Sequence, residues 1–165
     1  MRAQRTVPSN GLRRWGPGTS YPGLLGPQHG TEMEREVNMA NRQSISGPGI
    51  PEHPQPFPPA VRVGNMIFSS AIGGQNSESG KTPDDPQAQI AQAFVNMRNI
   101  VEQGGGGTWN IGKVVVYLKN RKDRDIVNVE WKKMFPDEAD CPVRHTITNE
   151  LPGKRIIQME FIAVV

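Results

Sequence analysis

Apolar and polar residues alternate regularly only in the later part of the chain, after a Pro-rich stretch that ends near residue 59. Apolar runs on either side of Gly64-Asn65 predict a β-hairpin over 60–70, because Gly-Asn is a frequent hairpin turn. Further strands are predicted by three segments rich in β-branched or alternating residues: 111–118, 142–148 and 155–165.

Two amphipathic helices are predicted between these strands. Asp85 followed by Pro86 is typical of a helix start, and the glycines of 104–107 end this first helix. Its apolar stripe consists of Ile90, Phe94, Met97 and Val101. Asp123 is predicted to cap a second helix that Pro136 stops. Its apolar side consists of Val127, Trp131, Met134 and Phe135. The order β-β-α-β-α-β-β predicts an α+β two-layer sandwich with both helices on one sheet face.

The last strand has one uniformly apolar face, which we expect beneath the helices. This face consists of Ile157, Met159, Phe161, Ala163 and Val165. The opposite face carries Glu160 among apolar residues, and two helices cannot cover both faces. Leaving Glu160 or Arg144 buried and unpaired would cost several kcal/mol or more. We therefore expect another subunit to cover the second face, with Arg144 and Glu160 at or near the interface and His145 pointing towards the helices as a core residue.

Composition divides the chain in two. Residues 1–60 hold 10 of the 15 prolines and 8 of the 18 glycines, which predicts an irregular tail over 1–50 and a single domain over 51–165. Segment 1–32 contains four arginines and no acid before Glu32. An over-extended or non-native start is the favoured interpretation of this segment, and a mitochondrial transit peptide is the alternative.

Segment 1–32 also accounts for the net charge of +3, because residues 33–165 contain 15 basic and 15 acidic side chains. A neutral domain argues against a nucleic-acid partner. The single cysteine, Cys141, excludes an intrachain disulfide and fits a reducing compartment such as the cytoplasm. No apolar run approaches the roughly 20 residues of a membrane-spanning helix.

A set of short motifs, in order and at similar spacing over 57–165, resembles the RidA family, also called YjgF/YER057c/UK114 or L-PSP. The motifs are Gly64-Asn65-Met66-Ile67-Phe68-Ser69-Ser70, the helix around Gln89 and Asn96, Val114 to Lys119, Asn128 before Trp131 and Phe135, Pro142-Val143-Arg144, Leu151-Pro152, and Met159-Glu160-Phe161-Ile162-Ala163-Val164. The resemblance implies a chorismate-mutase-like fold with a mixed sheet, a homotrimer with ligand clefts between subunits, and no metal or organic cofactor.

The resemblance also implies an activity and a site. Similar proteins hydrolyse 2-imino or 2-enamino acids to 2-oxo acids and ammonia. Arg144 falls on the family's carboxylate-binding arginine, Glu160 on its water-orienting glutamate, and Asn128 and Thr146 on further substrate contacts. A planar guanidinium suits a carboxylate because it can donate two parallel hydrogen bonds.

Two positions depart from the family pattern. Phe57 stands where the family usually has Tyr, and Ser70-Ala71-Ile72 replaces Ser-Gly-Gln. Phe57 and Ala71 are expected to line the cleft, so the substrate range is expected to differ. A 2-aminomuconate-like enamine is one alternative substrate. A non-catalytic trimer that binds small carboxylates and an endoribonuclease are the alternative functions.

Overall fold

The computed structural model describes residues 41–165, which contain seven strands, two α-helices and two short 3₁₀ turns. The strands are β1 (Arg42–Ile45), β2 (Ala60–Val63), β3 (Met66–Ser69), β4 (Ile72–Gly73), β5 (Ile111–Leu118), β6 (Val143–Thr148) and β7 (Ile157–Val164). The helices are α1 (Pro86–Gln103) and α2 (Arg124–Met134). All five predicted strands and both predicted helices are therefore present.

The strands form one mixed sheet in the order β1-β2-β3-β7-β5-β6, and the short β4 also pairs with β7. Only β5 and β6 run parallel, joined by α2 as a crossover, while the other pairs are antiparallel. Strand β6 is the last strand in this order and is therefore an edge strand of the protomer. Arg144, which belongs to β6, consequently lies at the edge of the sheet.

Both helices cover one face of the sheet and bury their apolar sides there. The four residues of the α1 stripe are at most 3% exposed, and they meet the buried face of β7 at Ile157, Met159, Phe161 and Ala163. Asp85 caps α1 as predicted, because its carboxylate accepts a hydrogen bond of 2.8 Å from the backbone N–H of Ala88. Strand alternation thus identified the covered face correctly.

Asp123 does not cap α2, contrary to the prediction. The residues before this helix form a 3₁₀ turn, Arg121–Asp123, so Asp123 already has helical backbone angles of φ −80° and ψ −1°. A capping side chain needs an extended backbone to reach back to the free N–H groups. Asp123 accepts no capping hydrogen bond, and its side chain is buried.

The predicted tail over 1–50 extends too far towards the domain. Strand β1 lies within it and pairs with β2 in antiparallel register, and Ile45 and Ile50 are each only 5% exposed in the core. Only Ile45 of the four β1 residues is buried, so the strand lacks the alternation that marks the others. The interpretation of 1–32 as a non-native start lies outside the described residues.

The second face of the sheet carries no helix. Phe68 and Val164 lie on it and are 37% and 50% exposed, beside the side chains of Tyr117 and Glu160. We call this surface the open face. Neither described helix is long and apolar enough to cross a membrane.

Candidate functional site

Arg144 lies on the helix-covered side of edge strand β6. It pairs in register with Val114, whose side chain is fully buried beneath the helices. Its guanidinium carbon lies 4.7 Å from the centre of the Trp131 ring, and its Nη2 donates a 2.7 Å hydrogen bond to Oδ1 of Asn128. Asn128 and Trp131 are three residues apart on α2 and therefore share one helix face. Helix α2 thus holds the guanidinium from two directions.

One nitrogen of this guanidinium has no partner. Nη1 of Arg144 is buried and makes no hydrogen bond within residues 41–165. Burial lowers the pKa of Arg144, and the nearby positive charge of Arg124 lowers it further. An arginine remains protonated despite such shifts, so Nη1 offers charged donors with no acceptor. An anion would satisfy them.

Arg144 and Glu160 lie on opposite faces of the sheet within one protomer, so the prediction that they share a face is wrong. Glu160 pairs in register with Val115 and points to the open face, whereas Arg144 pairs with Val114 and points to the helices. The prediction that His145 points towards the helices is wrong for the same reason, because His145 pairs with Val115 and is exposed on the open face.

Thr146 follows Arg144 on the same side of β6, because alternate residues of a strand share a face. Its half-buried side chain lines a cleft of about 190 Å³ between the strand ends and the start of α2. Asn128 and Arg144 are therefore joined by a hydrogen bond, and Thr146 lies on the same side of β6. With Trp131 they form what we call the arginine half-site.

Glu160 lies in a separate cavity on the open face. This cavity has a volume of about 220 Å³ and is lined by Phe68, Ser69, Lys113, Val115, Glu160, Phe161 and Ile162. The hydroxyl of Tyr117 donates a 3.3 Å hydrogen bond to Oε1 of Glu160. Burial raises the pKa of Tyr117, and the negative charge of Glu160 raises it further, so the phenol stays a hydrogen-bond donor.

Ala71 lies in the link between β3 and β4. Phe68 of β3 pairs with Ile162, and Ile72 of β4 pairs with Met159, so the link runs past Glu160 without pairing to it. Ala71 is exposed and borders a small cavity of about 50 Å³ with His53, but it does not line the cavity of Glu160. Tyr117 and Glu160 form what we call the glutamate half-site.

Phe57 lies near the small cavity that Ala71 borders and does not line the cavity of Glu160. Its ring is 52% exposed and lies 5.0 Å from the ring of His53, which reaches the same small cavity as Ala71.

Cys141 is exposed, and its thiol donates to the Glu138 carbonyl oxygen over 3.5 Å. Within residues 41–165, no three His, Cys, Asp or Glu side chains gather closely enough to hold a metal ion.

Sequence reasoning missed Tyr117 and the contact role of Trp131. Tyr117 lies two residues beyond Val115 on β5, so strand alternation would have placed it on the face of Glu160 once the register was known. Trp131 was assigned to the core from its helical spacing, and it is 9% exposed. Its ring is also the surface on which Arg144 stacks.

Comparison with known proteins connects this geometry to a family. The sequence profile of the family described as Endoribonuclease L-PSP matches residues 50–165. A Dermatophagoides farinae protein named 2-iminobutanoate/2-iminopropanoate deaminase is 30% identical over 129 residues, which are 77% of this chain and 99% of that protein.

Two solved Escherichia coli structures have the same fold. The YjgF gene product is 31% identical with a TM-score of 0.69, and the match covers 74% of this chain and 98% of that one. TdcF with bound serine is 26% identical with a TM-score of 0.70, again over 74% and 98%. The resemblance to RidA proteins and the α+β fold are therefore confirmed, and the chain belongs to the endoribonuclease L-PSP family.

Proposed function

We propose that this protein hydrolyses small 2-imino or 2-enamino acids to 2-oxo acids and ammonia in the cytoplasm, without a metal or organic cofactor. The observation that carries this proposal is the guanidinium of Arg144, which is held by Asn128 and Trp131 and has a buried Nη1 without an acceptor. The deaminase name of the Dermatophagoides farinae relative supports the reaction, and the serine bound to TdcF supports a small carboxylate ligand.

Arg144 would bind the substrate carboxylate through Nη1 and the second hydrogen of Nη2. Each charge-assisted hydrogen bond contributes about 1.5–3 kcal/mol. Asn128 acts as a positioning residue, because it occupies the other Nη2 hydrogen and fixes the plane of the fork. The hydroxyl of Thr146, on the same side of β6, would contact the substrate nitrogen.

Glu160 would act on the water. Tyr117 occupies Oε1, which leaves Oε2 to accept a proton as the water oxygen attacks the imine carbon. The proton held by Glu160 and the proton of the new hydroxyl group both pass to the substrate nitrogen, so that the carbon–nitrogen bond breaks, ammonia leaves and the carbon–oxygen double bond of the oxo acid forms. Ala71 and Phe57 would form the wall on this side.

The separation of the half-sites across the sheet requires a second subunit. We infer a homotrimer in which the arginine half-site of one subunit faces the glutamate half-site of the next. The exposed apolar residues Phe68 and Val164 support a subunit contact on the open face. Edge strand β6 carries Arg144 at the rim of the protomer, where a neighbouring subunit could complete the cleft.

Release of the oxo acid from freshly generated 2-iminobutanoate tests the activity. We expect Arg144→Gln to lower kcat/KM by about 10²–10⁴-fold, from the loss of two charged hydrogen bonds. We expect Glu160→Gln to lower it by a similar factor through loss of the base. Arg98→Gln removes the same charge from an exposed position of α1 and serves as the control. Full activity of Arg144→Gln would refute the proposal.

Mixed trimers test the shared cleft. If each cleft takes Arg144 and Glu160 from different subunits, trimers assembled at random from equal amounts of Arg144→Gln and Glu160→Gln chains regain roughly a quarter of the clefts. If one subunit supplies both residues, co-expression restores no activity. The readout is oxo-acid release by the co-expressed mixture, compared with each variant alone.

A non-catalytic carboxylate-binding trimer is the second candidate. Phe57 favours it, because a half-exposed ring without a hydroxyl offers the cleft no polar contact. This candidate predicts saturable binding of 2-oxobutanoate that depends on Arg144, with no acceleration of imine hydrolysis over buffer.

A further inference from the structure

A basic cleft lies next to the arginine half-site, and apart from Thr146 its lining residues have no role in the reaction proposed above. Its volume is about 190 Å³, and it is lined by Leu118, Arg121, Arg124, Thr146 and Thr148. Two guanidinium groups and two hydroxyl groups thus surround a space large enough for a carboxylate group. All four are hydrogen-bond donors, and the lining contains no carboxylate of its own.

The two arginines of this cleft are not used within the described chain. Neither Arg121 nor Arg124 forms an ion pair or a side-chain hydrogen bond among residues 41–165. The neighbouring acids Asp123 and Asp125 do not line the cleft. The positive charge of the cleft lining is therefore not paired by any carboxylate of the lining itself.

The cleft lies close to the carboxylate position proposed at Arg144. Thr146 lines the cleft and lies two residues after Arg144 on the same side of β6, which separates their Cα atoms by about 6.6 Å. The charge of Arg124 is close enough to lower the pKa of Arg144. A single small molecule can therefore reach both positions with a short carbon chain between two anionic groups.

We propose that the cleft binds a second carboxylate of the substrate, so that the preferred substrates are the imino acids of acidic amino acids, with a carboxylate at the end of a short side chain. This inference rests on the proposed function, because Arg144 has to bind the first carboxylate. Arg121 and Arg124 then determine specificity, and Thr148 donates a hydroxyl hydrogen bond to the same group.

Calorimetric binding of two product analogues tests this inference on the full chain. We expect 2-oxoglutarate to bind at least 10-fold more tightly than 2-oxobutanoate. The double variant Arg121→Gln/Arg124→Gln should bring the affinity ratio close to one. Lys122→Gln removes a positive charge from an exposed position between them that does not line the cleft, and it should keep the ratio.

The outcomes separate this inference from the proposed function. Binding and turnover of the monocarboxylate without a preference for the dicarboxylate would overturn only the second subsite. An equal loss of preference in Lys122→Gln would also overturn it, because the effect would then come from overall charge. Binding of neither analogue, together with no hydrolysis of 2-iminobutanoate, would overturn both.

Discussion

Replacing Asn128 with Asp probes the hold on Arg144 with almost no change in shape. In the native protein Oδ1 of Asn128 accepts a 2.7 Å hydrogen bond from Nη2, and the guanidinium keeps its full charge for a ligand. An aspartate would form an ion pair at the same place. A substrate carboxylate would then meet a neutral pair rather than a cation.

The structure sets the size of the effect. Two unit charges about 4 Å apart interact by about 1 kcal/mol in water and about 4 kcal/mol near a protein surface. Arg144 is half-buried, so a value of about 2 kcal/mol is appropriate, which weakens carboxylate binding by about 30-fold. The thermal midpoint should not fall, because an ion pair replaces a hydrogen bond.

Calorimetric titration of 2-oxobutanoate into the native protein and Asn128→Asp measures this effect. Gln87→Glu adds the same charge change at an exposed position in the first turn of α1 and should leave the affinity unchanged. Native affinity in Asn128→Asp would refute the reasoning, because a negative charge beside Nη2 must weaken the attraction of a ligand carboxylate to Nη1 of the same guanidinium. An equal loss in Gln87→Glu would attribute the effect to net charge.

Two further predictions concern the fold and the glutamate half-site. Gly74→Ala should destabilise the protein by about 3 kcal/mol in urea unfolding at fixed protein concentration, because the new Cβ would overlap the backbone carbonyl of Gln89. Gly112→Ala should have little effect, because the nearest atom to its Cβ would be 4.0 Å away. Equal urea midpoints for the two variants would contradict this prediction. Tyr117 should ionise at lower pH in Glu160→Gln than in the native protein, because one of the causes that raise its pKa is removed. The stability that neutral Tyr117 contributes is fully present below about pH 10 and is lost as pH rises through the raised native value. Absorbance titration, assigned with Tyr117→Phe, measures the shift, and identical curves would contradict the coupling.

Local signals predicted most of the fold. The cap at Asp85, the stripe on α1 and the alternation of β7 act within a few residues, so each could be seen without knowing the tertiary structure. Strand β1 was missed because it has a single buried residue, Ile45, and its pairing with β2 provides the rest of its stabilisation.

Sequence reasoning proposed the residues of the site, but it did not predict how they are arranged. Alternation places Arg144 and His145 on opposite sides of β6, but it cannot say which side faces the helices. That choice depends on the register between β5 and β6, which matches Arg144 with the buried Val114. The grouping of Asn128 with Arg144 followed from resemblance, whereas the cleft beside Thr146 required the three-dimensional structure.

The two half-sites are also anchored differently, and this has an evolutionary consequence. Arg144 stacks on Trp131, which packs against the ring of Phe135 in the core, so a change on that side disturbs folding as well as binding. Ala71 lies in a link that passes β7 without pairing to it, so its side chain can vary while the β7 register is kept. Under the proposed function, the residue that anchors the ligand is therefore mutationally constrained, whereas the proposed wall at Ala71 can diversify, and directed evolution of substrate range should begin at the link.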